Sequence, residues 1–215
     1  MRRALRNLLI GSVAVIGTCG VAGYVIYGGG RHQGPGTIHP HPAPASELAA
    51  RASTQATARA GFTTAPPARQ ILFGDLHVHT TFSADAFMRS LPFAQGEGAH
   101  PPADACDYAR FCSGLDFFAL TDHAESMTPR HWRESIESLR QCAAVAGDPR
   151  DPDLVPFAGF EWSQVGATPA EHYGHKNVIM RGLDDAELPA RPIAAPGLIG
   201  QALRGPGIDR WRALQ

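Results

Sequence analysis

Two short runs carry the residues best suited to chemistry: Gly74-Asp75-Leu76-His77-Val78-His79-Thr80 and Ala119-Leu120-Thr121-Asp122-His123. Imidazole is the commonest side-chain metal ligand, and each run ends an apolar stretch with it. Alternate side chains on a strand share a face, so His77 and His79 point the same way. Phe117-Phe118-Ala119-Leu120 reads as a buried strand that stops at Asp122-His123. Two strands would thus deliver imidazoles at the same kind of position. No cysteines have the paired spacing of a zinc-thiolate site, and a donor set of imidazoles and carboxylates suits Zn, Mn or Fe.

These runs resemble the motifs of the PHP superfamily, the polymerase and histidinol phosphatase metallohydrolases, which open with a His-x-His strand end followed by a strand ending in Asp-His. Gly159-Phe160-Glu161-Trp162 resembles the third motif, and Gly174-His175-Lys176-Asn177-Val178-Ile179 resembles the next His motif. The wording is closest to a poorly characterised, exported bacterial branch, and the resemblance covers roughly residues 71–180. It implies that His77, His79, Asp85, His123, Glu161 and His175 ligate two or three divalent ions. Glu161 bridges ions, and Asp122 and Asp75 orient imidazoles, which makes Glu161 and Asp122 the catalytic candidates. His172 is an alternative to His175. The implied activity is metal-dependent hydrolysis of a small substrate, a phosphate ester by the superfamily resemblance. A non-catalytic metal-binding or interaction module, or an inactive fragment, is the alternative. The family completes its site with a later Asp-x-His, and no histidine follows His175. A full barrel needs roughly 200 residues or more. The expectation is therefore an α/β fold of the partial PHP-type (β/α) barrel kind over residues 71–215.

The elements that would position these residues follow from periodicity. Residues 71–73 lead into the first strand, and a Ser-, Gly- and Pro-rich loop follows the His motif. Pro101-Pro102 opens a helix with Ala105, Tyr108, Ala109 and Cys112 on one stripe and Gly114 as its stop. Thr128-Pro129 caps another, with Trp132, Ile136, Leu139 and Ala143 facing inward. Residues 154–160 and 178–180 read as third and fourth strands. The alternation predicts a parallel sheet with its site at the carboxyl ends of the strands. His175 precedes its strand and must come from a loop or a reversed strand. Residues beyond Gly182 read as loop, with one helix near Trp211. His100, His131, Glu125 and Lys176 read as solvent-facing, and Ser83 as a turn or cap residue.

Arg2, Arg3 and Arg6 precede an uncharged run over residues 8–27, which as a helix spans ~30 Å, the thickness of the bilayer core. Residues 1–27 are therefore a signal-anchor or a signal peptide, with Gly20-Val21-Ala22 as a small-x-small cleavage site. The arginine bias puts the rest of the chain outside the cytoplasm, membrane-anchored, or secreted if cleaved. Residues 28–70 are rich in Gly, Pro, Ala, Ser and Thr, which predicts a disordered, solvated linker. The formal charge is −1, so no basic field attracts nucleic acid, and none is expected as a partner. Outside the cytoplasm disulfides persist. The helical stripes place Cys112 opposite Cys142, with three unpaired thiols as the alternative.

Overall fold

The structure, a computed structural model, describes residues 2–24, 34–61, 71–91, 94–96, 98, 100–164, 170 and 174–194. The chain divides into two units, Met1–Gln33 and Gly34–Gln215. The first carries α1 (Arg2–Tyr24), in which Leu5–Gly23 is long and apolar enough to cross a membrane or to act as a signal sequence.

The second unit opens with α2 (Ala45–Ala60). After it come β1 (Gly74–Val78), α3 (Ala84–Ser90), α4 (Pro102–Asp107) with a π-helical turn over Tyr108–Cys112, and β2 (Phe117–Leu120). A 3-10 turn (Ala124–Ser126), α5 (Pro129–Ala144), the short pair β3 (Gly147–Asp148) and β4 (Asp151–Pro152), β5 (Val155–Gln164) and β6 (Gly174–Ile179) complete it. The main sheet has the order β1-β2-β5-β6. The first three strands are parallel, as the alternation predicts, but β6 runs antiparallel to β5. The nine residues separating Gln164 from Gly174 in sequence are fewer than the dozen or so a parallel crossover needs, which accords with the antiparallel pairing of β6. Gly174, at φ +68°, opens the returning strand in a conformation that favours glycine. Asn177 Nδ2 donates to Leu76 O at 3.0 Å, joining β6 back to β1 and curling the sheet into a half-barrel.

The core lies between the sheet and its helices. Phe118, Leu120, Ala158 and Phe160 pack against Trp132, Ile136, Leu139 and Cys142 of α5 and against Ala103 and Cys106 of α4. β2 is buried on both faces, which is why it reads as an unbroken apolar run. Thr128 Oγ1 accepts from the His131 amide at 3.1 Å, the expected cap of α5. On β5 the alternation sends Ala158 and Phe160 to the helices and Gly159, Glu161 and Ser163 to the concave face. A Cβ at Gly159 would stand 2.7 Å from Val178 O and 3.0 Å from Leu120 O. Only glycine lets β5 fit between its two neighbours there.

Several expectations need correction. Cys142 pairs with Cys106, not with Cys112, which is exposed. The buried face of this helix is Pro102, Ala103, Cys106, Ala109 and Arg110. Cys106 keeps helical spacing with Ala103, Ala109 and Arg110, whereas the stripe through Ala105, Tyr108 and Cys112 lies on another face, with Tyr108 exposed. On α5, Cys142 takes the inward place expected of Ala143. The Ser-rich loop after the His motif contains α3, which begins directly after Ser83.

Residues 34–60 are not a solvated tether. Ile38 and Ala43 are buried, Pro35 O accepts from the Ala103 amide, and the Asp107 carboxylate accepts from the His39 amide at 3.0 Å. Arg51 reaches Asp153 O at 2.6 Å and Gln55 reaches Asp116 at 2.6 Å. Ala-rich sequence forms helix readily, and here polar side chains rather than an apolar stripe dock it, a route to order that counting apolar residues overlooks. The helix expected near Trp211 and the candidate His172 lie outside the described residues.

Candidate metal centre

The site is assembled at one end of the half-barrel by four strand ends and one helix. β1 brings His77, and one step past its end brings His79 to the same face. Their Nε2 atoms are 3.1 Å apart. Thr121-Asp122-His123 follow the end of β2, and the Glu161 amide donates to Asp122 O at 3.0 Å, which sets His123 beside Glu161. β6 pairs His175 with Ser163, two residues beyond Glu161, so the reversed strand rather than a loop presents this histidine. The first turn of α3 supplies Asp85.

Glu161 is the hub. Its side chain is 4% exposed, and its Oε2 lies 2.8 Å from His79 Nε2, 3.2 Å from His77 Nε2 and 3.6 Å from His123 Nε2. Its Oε1 lies 2.5 Å from His175 Nδ1. Asp85 closes the other side, with Oδ2 3.6 Å from His123 Nε2 and Oδ1 3.7 Å from His79 Nδ1. Three overlapping groups result, His77/His79/Glu161, His79/Asp85/His123 and His123/Glu161/His175, each with its ligand atoms within 4.8 Å of one another. All six expected ligands are brought together.

These residues fit a cation. A carboxylate oxygen has about two lone-pair positions, yet three imidazole Nε2 atoms point at Glu161 Oε2, more than it can accept from in good geometry. An imidazole lone pair facing a carboxylate at such distances is repulsive unless a proton or a cation lies between. Asp85 Oδ1 is buried without a hydrogen-bond partner among the described residues. The donor set is imidazole and carboxylate, suited to divalent ions of the Zn, Mn or Fe class.

The electrostatics agree with that polarity. Burial raises the Glu161 carboxyl, but the neighbouring imidazoles, His123 first, outweigh it and hold it below its usual value. Asp85 is likewise raised by burial and then lowered past its usual value by the Ala86 amide and by His123 and His79. The hydrogen bond to Glu125 lifts His123 above its usual value against the effect of burial, with Glu161 and Asp85 adding to the rise. Burial pushes Asp122 up despite its two hydrogen bonds from Thr80.

Those bonds revise the expected role of Asp122. Its Oδ1 accepts from the Thr80 amide at 2.6 Å and its Oδ2 accepts from Thr80 Oγ1 at 2.8 Å. Asp122 therefore anchors the turn after His79 rather than an imidazole. Asp75 accepts from the His77 amide at 2.8 Å and shapes its own strand.

Three contributors escape a reading of the sequence. Ser83 is fully buried between His79 and His123, and Ser163 is buried between His123 and His175. Glu125 is no solvent charge, for its Oε1 sits 3.4 Å from His123 Nδ1. The i, i+2 spacing of Ser163 from Glu161 was the available signal, since both must share the concave face. His131 is buried and stacked on Phe82 rather than solvent-facing. His100 is exposed, as expected, and lies 3.7 Å from Asp104. Both border a cleft of about 500 Å³ that opens beside His77 and His79, with Asp75 and Tyr108 on its walls and Ala109 and Phe118 on its floor.

Residues 66–132 match a family described as a protein of unknown function, DUF3604. No curated protein and no solved structure matches the chain. The matched segment contains His77, His79, Asp85 and His123, whereas Glu161 and His175 lie outside it.

Proposed function

We propose that the chain is a metal-dependent hydrolase of the PHP type, acting on a small substrate and most simply on a phosphate ester. The observation that carries this reading is the convergence of His77, His79 and His123 on one oxygen of the buried Glu161, with Asp85 and His175 completing the ring of donors. Two or three divalent ions held there would supply Lewis acidity, polarising an ester oxygen and lowering the pKa of water. The protein's own part is to keep Glu161 ionised among imidazoles, to hold the turn after His79 through Asp122 and Thr80, and to admit the substrate. The cleft beside His77 and His79 suits the organic portion of a small ester. No protein nucleophile is invoked, because Ser83 and Ser163 are enclosed among the ligands.

The apolar stretch of α1 and the three arginines in its first turns support a membrane-anchored or exported protein with its hydrolase part outside the cytoplasm. An exported reporter fused after Gln70 should be active, and a reporter active only in the cytoplasm would contradict that topology. The activity is tested with the full chain in detergent, loaded with Zn, Mn or Fe and offered a panel of phosphomonoesters and diesters. Turnover that chelation removes and that His77→Ala/His79→Ala lacks supports the hydrolase. Bound metal with no turnover on any ester would favour a binding module.

A further inference from the structure

We propose that the cleft beside His77 and His79 is a specificity pocket that takes an organic group bearing an ammonium in preference to one bearing a second anion. The substrate class is then a phosphate ester of an amino alcohol or of an aminomethyl arene. Its turnover rests on the hydrolase reading above, whereas the selectivity of the cleft does not.

The cleft of about 500 Å³ has the size of a site for a small organic molecule. It lies along β1, which is an edge strand of the main sheet and is covered by no further strand. Asp75, His77 and His79 share one face by alternation, so the wall that carries two metal-ligand candidates also carries a carboxylate. Asp75 is held there by the bond it accepts from the His77 amide at 2.8 Å. The opposite wall comes from α4 and the turn after it, with Asp104 in the first turn of the helix and the exposed ring of Tyr108 at its end. Ala105, Ala109 and the fully buried Phe118 make the base apolar.

The charge of the lining decides what fits. Among the described residues it includes two carboxylates and no lysine or arginine. Arg110, the residue after Ala109, is turned into the core, where its Nε donates to Asp153 and its Nη2 to Cys142 O. His100 stands 3.7 Å from Asp104 and is the one other imidazole on the lining besides the two ligand candidates. The donor ring of the centre thus takes the anionic phosphoryl end, and the cleft next to it offers carboxylates to whatever the phosphoryl group is attached to. An ammonium there meets Asp75 and Asp104, with the aromatic ring of Tyr108 adding to the attraction for an organic cation. A second anion meets the same carboxylates with no cation to receive it. Asp75 and Asp104 are therefore specificity-determining residues.

The test has two arms, both on the full chain in non-ionic detergent at pH 8, above the ordinary imidazole range. In the metal-free protein, ¹⁹F NMR compares 4-fluorobenzylamine with 4-fluorophenylacetate, two probes of similar shape and opposite charge. The amine signal should shift and broaden with added protein and the acetate signal should not. Asp104→Lys should abolish the amine effect and Asp104→Asn should reduce it, while Asp185→Lys, the same change of charge outside the cleft, should leave it in place. Equal effects on both probes, no effect on the amine, or an amine effect that survives Asp104→Lys would overturn the proposal. In the metal-loaded protein, kcat/KM is compared for phenyl phosphates with an aminomethyl, a methyl or a carboxymethyl group para to the ester oxygen. It should fall in that order by about 10-fold from end to end, as expected of partly exposed charges, and Asp104→Lys should invert the order. Equal values for the three esters, or an inversion that Asp185→Lys also produces, would overturn the proposal. Selective binding of the amine with no turnover of any ester supports the pocket and contradicts the hydrolase reading.

Discussion

Asp153 is the point at which the amino-terminal segment, the helices and the sheet meet. Its carboxylate accepts from Arg110 Nε at 3.2 Å and from the Ala43 amide at 2.5 Å, and Arg110 Nη2 donates to Cys142 O at 3.0 Å. Both side chains are essentially inaccessible, at 0% and 2% exposure. Replacing Asp153 by Ala leaves a guanidinium in the core without its counter-charge, which costs about 3–5 kcal/mol. It also strips the buried Ala43 amide of its acceptor, a loss of about 1–3 kcal/mol. The two share one carboxylate and are not additive, so about 4–6 kcal/mol is expected in all. For a unit of this size that corresponds to a fall in Tm of roughly 8–24 °C. Urea unfolding of the metal-free chain, followed by circular dichroism, measures it. The companion variant Arg110→Met/Asp153→Leu should recover much of the loss, because it removes the stranded charge. A destabilisation below about 1 kcal/mol for Asp153→Ala would mean that the pair is hydrated and that residues 34–60 do not dock as described.

Other consequences follow from the same contacts. The Cys106–Cys142 bridge closes a loop with a separation of 36 residues, so Cys106→Ser/Cys142→Ser should cost about 3–4 kcal/mol; Cys112→Ser, at an exposed thiol, should leave stability unchanged. Gly159→Ala places a methyl group against two backbone carbonyls and should destabilise by about 1–3 kcal/mol, read from the same unfolding curves. In the metal-free protein His123 and Asp122 are raised and Glu161, Glu125 and Asp85 are lowered. The raised groups contribute stability that is lost as pH climbs through their folded values. The lowered carboxylates contribute stability that is lost as pH falls through theirs. Metal-free protein should therefore be more stable near pH 5.5 than near pH 8, and metal affinity should run the other way because ligands must shed protons. Greater metal-free stability at pH 8 than at 5.5 would refute the assignment.

His77, His79 and His123 were legible because they stand where strand periodicity marks them, whereas Asp85, Glu161 and His175 followed from the resemblance to the PHP motifs. His77 and His79 share a face by alternation, and His123 closes an apolar run. What escaped was whatever depends on distance in space rather than along the chain. Ser83 and Ser163 look like ordinary turn and strand serines until His79, His123 and His175 are folded around them. Asp122 looks like a partner for imidazole, yet Thr80, brought across from the end of β1, occupies both of its oxygens. The helix after Pro101 offers two apolar stripes, Ala105-Tyr108-Ala109-Cys112 and Pro102-Ala103-Cys106-Ala109, and only the fold shows that the second faces the core. The reversal of β6 was readable from the short stretch between Gln164 and Gly174, which a rule of alternating strands and helices passes over.

The central claim is that His77, His79, Asp85, His123, Glu161 and His175 hold divalent metal. Elemental analysis of the full chain, purified in detergent and exchanged against Zn, Mn or Fe, tests it most directly, with His77→Ala/His79→Ala carried in parallel. Two or three tightly held ions per chain, lost in the double variant while its cooperative melt persists, is the predicted result. A parent chain that holds no ion, or a double variant with unchanged metal content, would contradict it.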